Sequence, residues 1–272
     1  MSCVYPLDCW RSAKRSESGK QPITFKIQDA NTDQKLQVPC GKCIGCQKTK
    51  SQVWSVRLYH ESLQHERNCF VTLTYNEPCP KTINKRDLQL FFKRLRHVHR
   101  LRYFACGEYG TRTRRPHYHA IIFGEDFRDE SYAINNVLYS QPALANTWGL
   151  GLVSVGDASI ESMAYTAGYC TKKMTDPDTF NMMSNRPGIG HTWLDKYRDD
   201  IVRTEQVVIN GRNMPIPKKY LEWYSEEFET LRLSRANFYR NLTPDQVIRA
   251  RAEKRAMECN YKALEQNKRQ IL

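Results

Sequence analysis

Two histidines one residue apart, in the run Arg115-Pro116-His117-Tyr118-His119, are followed by Ala120-Ile121-Ile122-Phe123 and then Gly124. An apolar, β-branched and aromatic run that opens after a proline and stops at a glycine predicts a β-strand. Side chains alternate faces along a strand, so His117 and His119 point one way and Tyr118 the other. Two neutral imidazoles side by side on a rigid element are half of a metal site. An isolated His-x-His more often merely decorates a sheet face, so its meaning depends on its partners. One partner is Glu108, at the end of a strand predicted over 101–109. A charged turn over 110–115 folds that strand into a hairpin with the histidine strand. Glu108 then reaches the histidine face and completes a set of two imidazoles and one carboxylate.

A second group of reactive side chains lies on a helix predicted from Asp157 or Ser159 to about Met174. Counting about 100° per residue from Ile160, the residues Met163, Ala164, Ala167, Thr171 and Met174 fall within about 60° of it. Tyr165, Tyr169 and Lys172 fall on the opposite side. Tyrosines at helical spacing are usually core, but here the apolar stripe is elsewhere, so both are expected to be presented rather than buried. Gly168, between them, costs about 1 kcal/mol relative to alanine and leaves room for a close backbone approach. Phenol has a pKa near 10, so only about one in a thousand is ionised at neutral pH. Lys172, three residues beyond Tyr169, is the cation that would stabilise a phenolate or a phosphotyrosine. A metal held by Glu108, His117 and His119 would polarise a phosphodiester for in-line attack.

A third constellation is Cys40-Gly41-Lys42-Cys43-Ile44-Gly45-Cys46. Its glycines permit tight turns that aim successive thiolates at one ion. Three soft ligands suit zinc in a structural site, with Cys3 or Cys9 as the fourth ligand. An iron–sulfur cluster is the rival, but no cysteine follows Cys46 at the three-residue spacing of the bacterial ferredoxin run.

These groups must be held by ordinary elements. Residues 1–50 read as irregular apart from a strand over 23–27. A helix is expected from Gln47 to about Glu66, with Val53, Val56, His60 and Leu63 on one face. The alternating run Cys69-Phe70-Val71-Thr72-Leu73-Thr74-Tyr75 is a strand. Asn84 caps a helix that buries Leu88, Phe91, Phe92, Leu95 and Val98 and turns Lys93, Arg94 and Arg96 outward. Beyond Gly124 the chain is less regular to about Gly151, then forms a short strand over 152–155. Residues 175–220 read as loop-rich, with Asp176-Pro177 and Pro187-Gly188 in loops and a hairpin that turns at Asn210-Gly211. From Lys218 onward the composition is helical, and Thr243-Pro244-Asp245 starts a helix made basic by Arg249, Arg251 and Arg255. Cys69, Cys106 and Cys170 are expected to be small buried hydrophobes.

The chain has 272 residues, with 42 Lys and Arg against 29 Asp and Glu, a net charge of +13. Such a surplus favours a polyanionic partner, most often nucleic acid. Fifteen tyrosines, ten phenylalanines and five tryptophans interleave with the cations, a combination that suits single strands. Without a membrane-length apolar run or a signal peptide, the chain is expected to be a soluble, cytoplasmic protein. Ten cysteines there are poor candidates for a disulfide framework.

The ordered set resembles the HUH endonuclease superfamily of rolling-circle replication initiators. It comprises Gly107-Glu108-Tyr109-Gly110, Arg115-Pro116-His117-Tyr118-His119 and the later Tyr165, Tyr169 and Lys172. The tyrosine spacing is similar to that of the two-tyrosine initiators of microviruses. The leading Cys3-Val4-Tyr5-Pro6, the Cys40–Cys46 run and Pro187-Gly188-Ile189-Gly190 with Trp193 look most like the gokushovirus replication initiation protein. The likeness extends over about residues 1–220.

The resemblance implies an α+β fold with a central antiparallel sheet of the RNA-recognition or HUH type, the histidine pair on a middle strand. It implies Mg²⁺ or Mn²⁺ at Glu108, His117 and His119, and cleavage of one origin strand through a 5′-phosphotyrosine link. Origin DNA, single-stranded or supercoiled, is then the substrate, with host helicase and polymerase as partners in the bacterial host cytoplasm. The expected organisation is a Cys-rich segment with a helix over 1–66, an endonuclease domain over 67–215 and a basic helical tail over 216–272. Two rivals remain: an HUH transposase or relaxase, and a non-catalytic zinc-dependent module that binds single-stranded nucleic acid.

Overall fold

A computed structural model describes residues 3–17, 19, 21–110, 112–172, 178–231, 233–234 and 243–271. The side chains of Cys170, Thr171 and Lys172, and all of Met174, Asp176 and Pro177, lie outside the described residues. The chain divides into two compact units, Met1–Thr49 with Asn237–Leu272, and Lys50–Ala236.

In the first unit the N-terminal stretch is more regular than its composition suggests. Strands β1 (Leu7–Ser12), β2 (Ile23–Thr24) and β3 (Ala30–Val38) form an antiparallel sheet of order β2-β1-β3. The register slips between Trp10 and Arg11. Polar residues fill much of β3, Ala-Asn-Thr-Asp-Gln-Lys-Leu-Gln-Val, so no clear apolar alternation advertised it. Helix α1 (Ile44–Ser62) starts at the cysteine run.

The larger unit is built on seven antiparallel strands. They are β4 (Asn68–Thr74), β5 (Arg102–Tyr109), β6 (Pro116–Phe123), β7 (Tyr132–Ala133), β8 (Tyr139–Ser140), β9 (Val153–Asp157) and β10 (Phe180–Met183). Their spatial order is β10-β5-β6-β4-β9-β8-β7. The expected α+β class with a central antiparallel sheet is what forms, and β6 lies between β5 and β4.

Alternation sorts this sheet into two faces. On one, Val71, Leu73, Tyr103, Ala105, Tyr118, Ala120 and Ile122 pack against α2 (Lys85–Val98) and α3 (Pro142–Trp148). On the other, Phe104, Ile121 and Phe123 pack against Leu58 of α1 and against Met163 and Ala167 of α4 (Ile160–Lys172). Asn84 caps α2 by accepting from Arg86 N, 2.9 Å away. Ser159 does the same for α4, accepting from Ser162 N at 3.2 Å. Leu88, Phe91, Phe92 and Leu95 are buried as expected, but Val98 is 77% exposed. It is the last helical residue, past the edge of the sheet that α2 covers. Leu63 is likewise exposed, because α1 has ended at Ser62.

Two elements arise where loop was expected. Strand β10 pairs with β5 along Phe180–Met183, although Phe-Asn-Met-Met carries no β-branched residue. Helix α5 (His191–Thr204) follows Gly190, which has φ of 79° and offers no side-chain cap, so no start signal preceded it. The hairpin β11 (Val207–Ile209) to β12 (Arg212–Met214) does turn at Asn210-Gly211, with φ of 48° and 72°. That pair of positive values is what a two-residue hairpin needs. Helix α6 (Lys218–Trp223) follows.

A buried polar group links the sheet to the following loop: Glu61 pairs with Arg102 and accepts from Gly190 N at 2.7 Å. Burial alone would raise its pKa, but His65, Gly190 and Arg102 together hold it below the ordinary value.

In the first unit the last helix, α7 (Pro244–Ile271), opens with a reciprocal cap. Gln246 Oε1 accepts from Thr243 N at 2.9 Å, and Gln246 N donates to Thr243 Oγ1 at 3.3 Å. No helix among the described residues is long and apolar enough to cross a membrane.

Candidate active site and metal centres

Strand register assembles the first cluster. Glu108 of β5 stands directly opposite His117 of β6, and His119 is opposite Cys106 on one side and Thr72 on the other. All these side chains leave the sheet on the face covered by α1 and α4. Glu108 Oε1 lies 2.9 Å from His117 Nε2 and 3.3 Å from His119 Nε2. The two rings stand at 82° with centroids 4.9 Å apart.

The donor set fits a hard or borderline divalent cation. Ligands at neighbouring corners of an octahedron about 2.1 Å in radius are about 3 Å apart, close to the separations seen here. His117 Nδ1 faces the Arg115 carbonyl at 3.2 Å, so that nitrogen carries the proton. Nε2 and the Glu108 carboxylate are then two acceptors facing each other, an arrangement that a cation between them satisfies. A buried carboxylate with two imidazoles and open positions is also unlike the closed thiolate set of a structural site.

His119 is oriented by a residue that the sequence did not single out. Thr72 Oγ1 lies 3.0 Å from His119 Nδ1, and Phe70 stacks on the same ring, 5.4 Å between centroids and 16° from parallel. The alternation of β4 put both residues on one face, but only the β4–β6 register brings them to His119. Thr72 is a positioning residue. Thr72→Val is expected to weaken Mn²⁺ binding by about 10- to 100-fold by calorimetry, with Thr72→Ser close to wild type. Equal affinity in Thr72→Val would remove Thr72 from the site.

Helix α4 brings both tyrosines to the histidine face. Tyr169 lies nearly parallel to His119, at 10° and 5.2 Å, while Tyr165 meets His119 edge-on at 5.3 Å. The two phenol rings are 4.8 Å apart and almost perpendicular. The expectation that both are presented to solvent is corrected here. Tyr165 is 52% exposed, but Tyr169 is only 7% exposed because its ring lies flat against His119. Burial raises the pKa of Tyr169, and its hydrogen bond with Tyr165 and the charge of Glu108 raise it further. Burial also raises Tyr165, but there the bond with Tyr169 acts in the opposite sense. In that bond Tyr169 donates and Tyr165 accepts, which favours charge on Tyr165. Lys172 closes α4, and its side chain lies outside the described residues. A Cβ at Gly168 would meet only Ser51 Oγ, at 4.0 Å.

Residues 68–174, from β4 past the end of α4, match the family model of the replication-associated protein ORF2. Replication-associated protein VP4 of Bdellovibrio phage phiMH2K is 32% identical over 69% of this chain and 67% of its own length. The chain belongs to the ORF2 family of replication-associated proteins. Replication-associated protein ORF2 of Spiroplasma virus 4 is 28% identical over 70% of this chain and 69% of its own. Replication-associated protein ORF4 of Chlamydia phage 1 is 28% identical over 67% of this chain, which spans about half of that relative. No solved structure matches. The family match includes Thr72, Glu108, both histidines and both tyrosines, while the cysteine cluster lies outside it.

That cluster gathers four thiols. Cys3 Sγ is 3.5 Å from Cys40 Sγ and 3.9 Å from Cys43 Sγ, and Cys40 Sγ is 4.0 Å from Cys46 Sγ. Four thiolates about 2.3 Å from a tetrahedral zinc are separated by about 3.8 Å, so the set fits that ion. Of the two candidate fourth ligands, Cys3 joins the group, whereas Cys9 is buried within β1. Burial opposes ionisation of Cys43, but hydrogen bonds from the Val4 and Cys46 backbones and the neighbouring thiols bring it down to about 6. Burial and the thiols of Cys3 and Cys43 push Cys46 up. Without an ion, one thiolate is favoured at the expense of its neighbours; a cation would favour all four.

Proposed function

We propose that the chain is a metal-dependent DNA-nicking and strand-joining initiator of rolling-circle replication, built on an HUH-type sheet. The observation that carries this reading is the stacking of two tyrosines on His119, itself within 3.3 Å of Glu108. A nucleophile pair, a carboxylate and two imidazoles on one sheet face are the parts of a phosphotyrosine transesterase. Membership of the ORF2 family supports the replication role.

Glu108, His117 and His119 would hold Mg²⁺ or Mn²⁺, which when bound supplies a Lewis acid for a non-bridging phosphate oxygen. The residues of the chain do the rest. His119 seats the tyrosine rings against the scissile phosphate, and Phe70 and Thr72 hold His119. A tyrosine oxygen bonds to phosphorus, the P–O3′ bond breaks, and the phenol proton ends on the released 3′-hydroxyl. The DNA keeps a 5′-phosphotyrosine link, and the free 3′-OH serves a host polymerase.

The second tyrosine repeats the cut on the regenerated origin, and its 3′-OH attacks the first link to close a circle. The bond energy is held in the ester, so joining needs no nucleotide cofactor. Cys3, Cys40, Cys43 and Cys46 would hold a structural Zn²⁺.

Incubation with a labelled single-stranded origin oligonucleotide and Mn²⁺ tests the reading. A denaturation-resistant protein–DNA adduct is expected, and Tyr165→Phe combined with Tyr169→Phe abolishes it. Tight strand binding without any adduct would instead favour the non-catalytic binding module.

A further inference from the structure

The face of the sheet opposite the tyrosines carries its own charged feature. A groove of about 930 Å³ runs between α2 and the sheet edge at β10. Its walls include Lys93, Arg96 and His97 on α2, with Met182 of β10 and the rings of Phe92 and Tyr103 at its base. Lys93 and Arg96 are exposed and make no ion pair among the described residues. Lys85 and Arg86 extend the same charge to the start of α2. The one acid of that helix, Asp87, is turned inward and accepts from Tyr75 at 2.7 Å. Arg94 is committed to the Thr147 and Trp148 carbonyls at 2.8 and 3.2 Å.

We propose that this groove holds the phosphate backbone of duplex DNA. Two features select duplex over single strand. First, Phe92 and Tyr103 are buried and stacked on each other, 3.6 Å apart and 8° from parallel, so no ring is offered to an unpaired base. Cations without a stacking platform track phosphates and do not read sequence. Second, Lys85 to Arg96 spans about 16 Å of helix, the axial length of about five base pairs. The two faces of one sheet then divide the work: duplex beside the origin on α2, and the strand to be cut on α4. The identity of the polyanion as DNA rests on the proposed function, whereas the charge and shape of the groove do not.

The test is fluorescence anisotropy with a fluorescein-labelled 20-base-pair duplex from about 50 to 200 mM salt. Lys93→Ala with Arg96→Ala is expected to bind about 60-fold more weakly at 0.1 M salt, with a salt slope shallower by about 2, the effect of two lost phosphate contacts. Lys93→Arg with Arg96→Lys should stay near wild type. Adduct formation on a short single-stranded oligonucleotide should be unchanged in both. An unchanged slope in the alanine pair overturns the groove, as does an equal loss in the charge-retaining pair. A wild-type chain that forms no adduct yet shows the expected slope change sinks the nickase reading and leaves the groove standing.

Discussion

Tyr165→Phe is expected to abolish the first covalent protein–DNA adduct, by about 10⁴-fold or more, the scale on which removing a nucleophile acts. Tyr169→Phe is expected to leave that first adduct within about tenfold and to abolish transfer to a second strand. Three observations argue for this asymmetry. Tyr165 is half exposed and Tyr169 almost fully buried, so a phosphodiester entering the site meets the oxygen of Tyr165 first. The Tyr169 hydroxyl donates towards Tyr165, which favours charge on the outer oxygen and holds the proton on the inner one. Phenylalanine keeps each ring, so the stacking of Tyr169 on His119 and the edge-on packing of Tyr165 survive substitution.

Single-turnover labelling with a 5′-tagged origin oligonucleotide separates the cases. Strand transfer is then followed by adding a second oligonucleotide of different length. An adduct of normal yield in Tyr165→Phe, with none in Tyr169→Phe, would reverse the order. Equal yields in both single variants would mean that the inner ring swings out freely before any DNA is attached.

Much of this site was legible because its parts obey local periodicities. A period of two put His117 and His119 on one face, and a short charged turn returned Glu108 to them. A period near 3.6 put Tyr165 and Tyr169 on one side of α4. What the sequence could not disclose depends on tertiary depth. The helical wheel separates the tyrosines from the apolar stripe, but it does not say that α4 lies close enough for one ring to settle on His119. Thr72 and Phe70 needed the β4–β6 register, which links residues 47 positions apart in the case of Thr72 and His119. Strand β10 owes its existence to an unpaired edge of β5 rather than to its own propensity. The N-terminal sheet was obscured because β3 is largely polar. The choice between Cys3 and Cys9 likewise required the fold, since both lie far in sequence from Cys40.

The cysteine cluster carries the other large expected effect. The buried apolar cluster beside the four thiols consists of Cys3, Val4 and Cys43, with Cys40 and Cys46 packed against it. A cluster in which four of five members are cysteines has almost no aliphatic core, so the ion that the thiols fit supplies the missing cohesion. Structural zinc contributes about 10 kcal/mol or more to the folding of small thiolate-ligated units at neutral pH. One zinc per chain by elemental analysis is therefore expected. Cys43→Ser removes the ligand whose thiol ionises most readily, and is expected to lose the metal and expose residues 1–49 to protease. The sheet from β4 to β9, with its own aliphatic core, should remain protected. A chelator strong enough to strip zinc from wild type should reproduce the same cleavage pattern, and Mn²⁺ at the histidine site should exchange without it. Iron with visible absorbance in the purified chain would replace zinc by a cluster. Full zinc occupancy in Cys43→Ser, or an N-terminal unit indifferent to chelation, would end the argument that these four thiols form the core of that unit.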